Sequence, residues 1–307
     1  MAGPTRLIAV LSGDAAATTV SLLSFSGERE ARSGGPGVTS ETSEKGGRPA
    51  DLLTGAVDLL TRALRHAGAD SGRLAAVVVD VQRHVGTAES ARRTVTVAGG
   101  QVPVLTVNDA NLGALGEAAF GAGRGLDSLV YVKLGRNVGA GLVMGGRLVR
   151  GAAGFAGELA HVQARGETGE GTVCVCGGRA CLATLVGPSL VEFVQRAYSE
   201  RMALSEVLAL AAEHDPGVSR LFSDLGRIIG RPLADLCTMI DPAAVIVDST
   251  LGSAGELVLA GIRESVARHA APVVADSVRI IPGELGDEAE VLGAVALART
   301  QARPAQR

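Results

Sequence analysis

The chain has 307 residues, of which 47% are hydrophobic and 2% aromatic, and its formal net charge at pH 7 is -3. This length and composition allow a large core of aliphatic side chains, whereas the slight negative charge argues against a surface that neutralises many phosphates, so we expect no nucleic-acid contact from this chain. Because no apolar run is long enough to span a bilayer and the N-terminus shows no signal pattern, we expect a cytoplasmic protein that makes no membrane contact.

The N-terminal part of the chain predicts strands that alternate with a helix. Apolar and β-branched runs predict strands at Leu7–Leu11, Thr19–Phe25, Leu74–Val81 and Val102–Val107. Leucines at helical spacing predict a helix from Asp51 to His66 that Asp51 caps. The intervening residues 27–49 are polar and aperiodic, which indicates a frayed strand and a surface loop.

The rest of the chain continues the alternation. Further strands are predicted at Ser128–Leu134, Gly141–Val149, Ala244–Val247 and Val278–Ile281. Helices are predicted from the polar segment after Val107 through Phe120, at Gly255–His269 and at Glu288–Ala302, with a mainly helical region up to Ile240 that is interrupted near Pro216. Strands that alternate with helices predict an α/β fold.

Three of the four cysteines lie within eight residues of one another, as Cys174, Cys176 and Cys181, and His161 lies one loop upstream. Three thiolates and one imidazole complete the tetrahedral ligand set of a structural Zn²⁺ ion and leave no position open for water. The spacing therefore predicts a zinc site that orders a loop. A chance cluster of free thiols and a redox pair are the alternatives.

Several motifs together resemble the ROK family of repressors, open reading frames and sugar kinases. They are Val107-Asn-Asp-Ala-Asn111, Ala114-Leu-Gly-Glu117, Val138-Gly-Ala-Gly141, Gly145-Gly-Arg-Leu-Val-Arg-Gly151, Gly154-Phe-Ala-Gly-Glu-Leu-Ala-His161, the cysteine cluster, Asp241-Pro-Ala-Ala-Val245 and Leu292-Gly-Ala-Val-Ala-Leu297. The resemblance implies a two-lobed actin-like ATPase fold of the ribonuclease H-like class, and a homodimer. The N-terminal lobe would comprise residues 1–106, completed by the helix at 288–302, and the C-terminal lobe residues 107–287 with the zinc loop at 161–181.

The resemblance also implies a hexose site lined by Asn108, Asp109, Glu158 and His161. In kinases of this kind the residue that matches Asp109 takes the proton from the attacking sugar hydroxyl, and His161 would both ligate zinc and contact the sugar. Considered without the family, Asn108 and Asp109 could form a helix cap and turn, and Glu158 and His161 an ordinary pair on a helix face.

The nucleotide motifs of the family kinases are altered at three places. Their Asp-x-Gly-x-Thr turn is replaced here by a segment with Ser12, Asp14 and Ala16 at the three fixed positions. Their Gly-Thr-Gly-x-Gly loop reads Gly135-Arg-Asn-Val-Gly139, with Arg136 and Asn137 at the middle positions. The Gly-Gly pair that faces the nucleoside in these kinases is replaced here by Asp248-Ser249. Because phosphoryl transfer depends on backbone amides and Mg²⁺ placed around the phosphates, we expect neither ATP nor Mg²⁺ as a cofactor.

The sugar side departs from the family as well. A strand-end Pro-Gly is replaced by Gln82-Arg83, and the glutamate expected two residues after the last zinc cysteine is Ala183. Loss of a carboxylate that bonds sugar hydroxyls costs about 1.5–3 kcal/mol, so we expect a weak or altered ligand.

These features predict a non-catalytic ROK-type domain that senses a sugar-like effector or acts as a scaffold, linked to transcriptional regulation. We expect its DNA-binding element to be absent from this chain, because the sequence reaches the first predicted strand almost at once. One alternative is an ATP-dependent sugar kinase of the glucokinase or N-acetylmannosamine kinase type, with Asp109 as the catalytic base. A third possibility is an interaction protein whose old cleft is vestigial.

Overall fold

A computed structural model describes residues 6–13, 17–36, 49–81, 93–134, 138–163, 173–174, 176–186 and 204–302. The backbone groups into two compact units. The first unit comprises Met1–Gly116, Ala152–Gly154 and Glu288–Arg307, and the second comprises Glu117–Gly151 and Phe155–Asp287. The lobe boundaries expected from the sequence, at residues 106 and 287, stay a prediction.

The first unit contains a mixed six-stranded sheet. Its strands are β1 (Leu7–Gly13), β2 (Ala17–Ser24), β3 (Arg29–Pro36), β4 (Leu74–Val81), β5 (Arg93–Val97) and β6 (Gly100–Asn108). They are ordered β3-β2-β1-β4-β6-β5, with β1, β4 and β6 mutually parallel and the outer pairings antiparallel. Because parallel neighbours point the same way, the carboxyl ends of β1, β4 and β6 meet at one edge of this sheet.

Helix α1 (Pro49–His66) covers one face of this sheet with an apolar stripe that includes the buried Leu59, Leu60 and Leu64. The sequence prediction was wrong about its start, since the helix begins two residues before Asp51, at a proline. Proline is favoured in the first turn because its missing N–H has no helical acceptor there. Strand β5 was missed, because this short Thr/Val segment is recognisable as a strand only through its pairing with β6.

Helices α2 (Asp109–Phe120) and α8 (Ala289–Ala302) cross with their backbones in contact within the first unit. A Cβ atom on Gly116 would lie 2.0 Å from the carbonyl oxygen of Ala289, and one on Gly293 would lie 1.8 Å from that of Leu112. The Ala- and Gly-rich composition of both helices is therefore a packing requirement.

The second unit contains a mixed five-stranded sheet. Its strands are β7 (Ser128–Leu134), β8 (Val138–Met144), β9 (Arg147–Leu148), β10 (Ala244–Val247) and β11 (Arg279–Pro282), in the order β11-β10-β7-β8-β9. Strands β11, β10 and β7 are parallel, whereas β8 and β9 complete the sheet as antiparallel neighbours. The segment predicted as one strand at Gly141–Val149 is interrupted by Gly145 and Gly146, which have positive φ angles and form the turn between β8 and β9.

The described helices of the second unit are α3 (Leu182–Val186), α4 (Leu204–Ala212), α5 (Pro216–Ile240), α6 (Ser253–His269) and α7 (Pro272–Ser277). The interruption expected near Pro216 is the start of α5, where the Asp215 side chain accepts a hydrogen bond from the Val218 amide at 2.9 Å. Helix α7 was missed, because its six residues are too few to show a period. With both sheets mixed and flanked by helices, the α/β prediction is confirmed. Within the described part of the chain, no helix combines the length and the apolar character that a membrane span requires.

Replacing Gly261 with valine is expected to lower the free energy of unfolding by about 1–3 kcal/mol. A Cβ atom at this position of α6 would lie 2.1 Å from the carbonyl oxygen of Ser223 and 2.9 Å from the Cα atom of Gly226 on α5, so the two helices would have to separate. Gly255→Ala, also on α6, is the matched control, since its Cβ atom meets only ordinary contacts at 3.6 and 3.8 Å. Urea unfolding of both variants measures the difference, and equal midpoints would contradict the close packing of α5 and α6.

Candidate functional site

Four side chains that can bind a metal converge in the second unit. The donor atoms of His161, Cys174, Cys176 and Cys181 all lie within 4.8 Å of one another. The Sγ atoms of Cys176 and Cys181 are 3.6 Å apart, and the Sγ atom of Cys174 is 3.6 Å from Nδ1 of His161. All four residues named from the sequence are thus brought together.

These distances match a metal site and differ from those of a disulfide. Two sulfurs bound to one tetrahedral Zn²⁺, each at about 2.3 Å, are separated by about 3.8 Å. A disulfide would bring the same sulfurs to about 2.05 Å. All three cysteines of the cluster are free thiols. The residues present therefore fit a four-coordinate metal ion, and the four donors leave no ligand position unfilled.

Tight turns in the backbone produce this convergence. The amide of Cys174 donates to the carbonyl of Gly178 at 2.8 Å, and the amide of Gly177 donates back to the carbonyl of Cys174 at 2.9 Å. Gly177 has φ +88°, in the left-handed region that favours glycine. Cys181 is anchored from the other side, because the amide of the next residue, Leu182, donates to the carbonyl of Val162 at 2.9 Å, close to His161.

The thiols of the cluster differ in their electrostatic surroundings. The pKa of the exposed Cys176 thiol is lowered, chiefly because the amide of Gly178 donates to its sulfur at 3.4 Å. Burial, together with the neighbouring sulfurs of Cys176 and Cys174, raises the pKa of Cys181 to about 12. A bound cation would offset this penalty, since metals bind the thiolate form and release the protons.

The two ring nitrogens of His161 face different partners. Nδ1 faces the sulfur of Cys174, whereas Nε2 lies 4.0 Å from Oε2 of Glu158. His161 ends a short 3₁₀ turn that begins at Leu159, so the pair with Glu158 does not belong to a long helix. A metal bound through Nδ1 would leave Nε2 with its proton directed toward a carboxylate, which is the usual arrangement around a metal-bound histidine.

Asn108 and Asp109 lie at the start of α2 in the first unit, where β6 ends. Oδ1 of Asn108 accepts a hydrogen bond from the amide of Asn111 at 3.2 Å, and Oδ1 of Asp109 accepts one from the amide of Ala110 at 2.8 Å. The side chain of Asn108 therefore caps the helix, as the helix-cap alternative predicted, and that of Asp109 bonds the amide of the residue that follows it. Oδ1 of Asn111 is buried and has no hydrogen-bond partner among the described residues. Because Glu158 and His161 belong to the second unit, a hexose site formed by all four residues stays a prediction.

Asp248 follows β10 and is 4% exposed. Its Oδ1 accepts from the amide of Thr250 at 2.9 Å, and its Oδ2 accepts from the amide of Leu134, at the end of β7, at 3.3 Å. Burial raises the pKa of this carboxyl group, which the hydrogen bonds from Thr250 partly oppose. The side chain predicted to disturb nucleotide binding is thus fixed inside the second unit by the amide of Leu134, at the end of β7, and by the amide of Thr250, in the loop after β10.

Of the other positions that depart from the family pattern, Ser12 ends up near the end of β1 and Ala183 in α3, two residues after Cys181. Ser249 directly follows Asp248, and six further positions lie outside the described residues, namely Asp14, Ala16, Arg136, Asn137, Gln82 and Arg83.

Sequence reasoning gave no role to Glu117, which is 1% exposed. Its carboxylate accepts hydrogen bonds from the amides of Ala122, Leu285 and Glu284, at 2.7, 3.0 and 3.3 Å. The side chain thus joins the end of α2 to the segment that follows β11. Its place in the motif Ala114-Leu-Gly-Glu117 was the signal in the sequence, but the motif did not show which groups the carboxylate bonds.

Comparison with known proteins agrees with these observations. The model of the ROK family matches residues 97–301. The chain belongs to the ROK family. The glucokinase of Streptomyces coelicolor is 32% identical over 220 residues, which cover 64% of this chain and 68% of that enzyme. The xylose repressor of Bacillus subtilis is 28% identical over 192 residues, or 62% of this chain, and the match spans about half (49%) of the repressor.

The solved structure of a ROK family glucokinase from Streptomyces griseus, in complex with glucose and AMPPNP, has a TM-score of 0.70 and 26% identity and covers 97% of this chain and all of that one. The actin-like ATPase fold of the ROK sugar kinases, with two mixed sheets, is therefore confirmed. Since ROK relatives include both repressors and kinases, family membership is compatible with either function.

Proposed function

We propose that this ROK chain is a non-catalytic domain that senses a sugar or a sugar-like effector in transcriptional regulation. The observation that carries the proposal is the position of Asp248, which is buried and bonded to the amides of Leu134 and Thr250. In family kinases the matching position is a glycine that faces the nucleoside. We infer that the carboxylate of Asp248 occupies space that this glycine leaves open in the kinases.

The hydrogen bonds of Asp248 make this obstruction costly to remove. A hydrogen bond to a charged group contributes about 1.5–3 kcal/mol, so moving the side chain away from Leu134 and Thr250 would cost roughly 3–6 kcal/mol. That cost corresponds to about two to four decades in the affinity for a nucleotide. A site that binds MgATP weakly to this extent would be mostly empty at ordinary ATP concentrations, so we expect little phosphoryl transfer.

We propose Zn²⁺ as the metal of the cysteine cluster. Thiolate ligands select soft or borderline metals, and three thiolates with one imidazole are a common structural zinc set. The 3.6 Å separations between donors support this assignment. The metal would fix the ring of His161 and supply no open position for catalysis, while the reduced thiols suit a cytoplasmic location.

The proposed effector site retains some of the polar groups that a sugar requires. Asn108 and Asp109 offer side-chain oxygens, and Glu158 and His161 form a polar pair 4.0 Å apart. Ala183 removes one carboxylate of the family pattern. Since sugar affinity is the sum of many oriented hydrogen bonds, we expect binding to be weak rather than lost.

Transcriptional regulation is proposed from the similarity to xylose repressors, about half of whose length the match spans. A homodimer is proposed from the family resemblance. The second candidate function is a sugar kinase, favoured by Asp109 and by the 32% identity to a glucokinase. An interaction protein with a vestigial cleft is the third.

Asp109→Ala is expected to weaken sugar binding about 10- to 100-fold, because a charged hydrogen-bond acceptor is lost. Ala183→Glu is expected to strengthen binding, since it restores a carboxylate. A thermal-shift panel of glucose, xylose and N-acetylmannosamine selects the ligand, and calorimetry then compares the variants.

Asp58→Ala is the matched control, because it removes an exposed carboxylate from α1 of the same unit. If no sugar in the panel stabilises the parent chain and neither variant changes the calorimetric signal, the vestigial-cleft alternative replaces the sensing function.

A further inference from the structure

The cysteines of the metal cluster differ in their accessibility. Cys176 is exposed, whereas Cys174 and Cys181 are buried. The Sγ atoms of Cys176 and Cys181 are only 3.6 Å apart, so a shift of less than 2 Å would bring them to the disulfide distance of about 2.05 Å. An oxidant dissolved in water therefore reaches one sulfur that has a second sulfur next to it.

The backbone between these two cysteines permits such a shift. Gly177 has a positive φ, and a Cβ atom built on it would contact nothing within 4 Å. A Cβ atom on Gly178 would lie 3.3 Å from the sulfur of Cys181 and 3.4 Å from that of Cys176, so glycine keeps the space beside both sulfurs open. Cys181 is held in place by the hydrogen bond from Leu182, which makes Cys176 the partner that moves.

We propose that Cys176 and Cys181 are a peroxide-sensitive pair whose oxidation to a disulfide releases the bound zinc. The inference rests on the zinc assignment of the proposed function and does not depend on sugar binding. It assigns to these two residues a regulatory modification in addition to their structural role.

The chemistry is balanced with hydrogen peroxide as the oxidant. The thiolate of Cys176 attacks one peroxide oxygen, the O–O bond breaks, hydroxide leaves, and a sulfenic acid forms. The thiolate of Cys181 then attacks the sulfenic sulfur, so that the S–S bond forms and a second hydroxide departs. Two sulfurs are each oxidised by one electron, both peroxide oxygens are reduced, and the two hydroxides are neutralised by protons from the buffer.

Oxidation would leave only Cys174 and His161 as ligands. Two ligands do not complete the tetrahedral set, so the affinity for zinc falls steeply. The ring of His161 then loses the bond that fixed it beside Glu158. Reduction by a thiol in the presence of zinc would restore the site, because the disulfide is exposed on the Cys176 side.

The experiment treats the zinc-loaded full chain with hydrogen peroxide in the presence of a chromophoric zinc chelator. We expect one zinc ion to be released per chain, in step with the loss of two thiols, and peptide mapping to show a link between Cys176 and Cys181. Cys237→Ala removes the buried cysteine outside the cluster and should release zinc with the same stoichiometry and rate. Dithiothreitol and added zinc should reverse the change.

If zinc stays bound under conditions in which peroxide oxidises free thiols in the same solution, the proposal is wrong. The zinc assignment would remain intact. Release that is accompanied by a different disulfide, or by sulfinic acid at Cys176 without a disulfide, would also overturn the proposal. If the reduced chain takes up no zinc when the metal is supplied, the zinc assignment is wrong. The proposed release of zinc on oxidation is then wrong as well.

Discussion

Cys181→Ala is expected to abolish tight zinc binding and to lower the thermal midpoint of the chain by roughly 10 °C. A metal present at 1,000 times its Kd stabilises the folded state by about 4.1 kcal/mol, and 1 kcal/mol shifts the midpoint of a domain this size by about 2–4 °C. Cys181 is buried beside three other donors, so its loss opens the closed set. Native mass spectrometry measures the zinc content, and calorimetry the midpoint.

The variant Cys237→Ala distinguishes the effect of losing the metal from the effect of losing a buried thiol. Cys237 is 0% exposed and Cys181 2%, so both changes remove one sulfur from a buried place, but only Cys181 belongs to the cluster. Burial raises the pKa of Cys237 to about 11, as expected for an inert core thiol. The control variant should keep its zinc. If both variants bind zinc equally and unfold at the same temperature, the cluster is not a metal site.

The elements that the sequence predicted best are those specified by local pattern. The runs at Leu74–Val81, Ser128–Leu134 and Ala244–Val247 are strands with the predicted bounds, because a continuous apolar run of this length suits a strand covered on both faces. The cysteine cluster was recognisable for a similar reason, since three of its ligands and the two glycines lie within one short segment.

What the sequence could not show depends on contacts between distant positions. The amide of Leu134 bonds to Asp248, 114 residues away, and Glu117 bonds to amides near residue 285. The sequence showed that Asp248 replaces a glycine, but the two amides that hold it became visible only in the fold. The α2 N-terminus is the opposite case, because its bonds are local: the side chain of Asn108 accepts from the amide of Asn111, three residues on, as the helix-cap alternative predicted.

The presence of Asp109 at the start of α2 bears directly on the kinase alternative. A general base contributes about 10²–10⁴-fold to a rate, whereas enzymes accelerate reactions by at least about 10⁶-fold. The remaining part of the rate acceleration has to come from positioning of the phosphates. An intact Asp109 therefore does not by itself indicate catalysis, and the nucleotide side decides between a sensor and a kinase.

No ATP-dependent phosphorylation of glucose, xylose or N-acetylmannosamine is expected above the rate without protein. The side chain of Asp248 fills the position where family kinases have a glycine, and its bonds to Leu134 and Thr250 oppose its displacement. A coupled assay for ADP release measures turnover, calorimetry with MgATP measures binding, and a ROK glucokinase serves as the positive control. Asp109→Asn is the decisive variant, since it keeps the size of the side chain and removes the base. Saturable turnover that this variant abolishes would establish the kinase function, and MgATP binding at ordinary affinity would show that Asp248 does not close the nucleotide site.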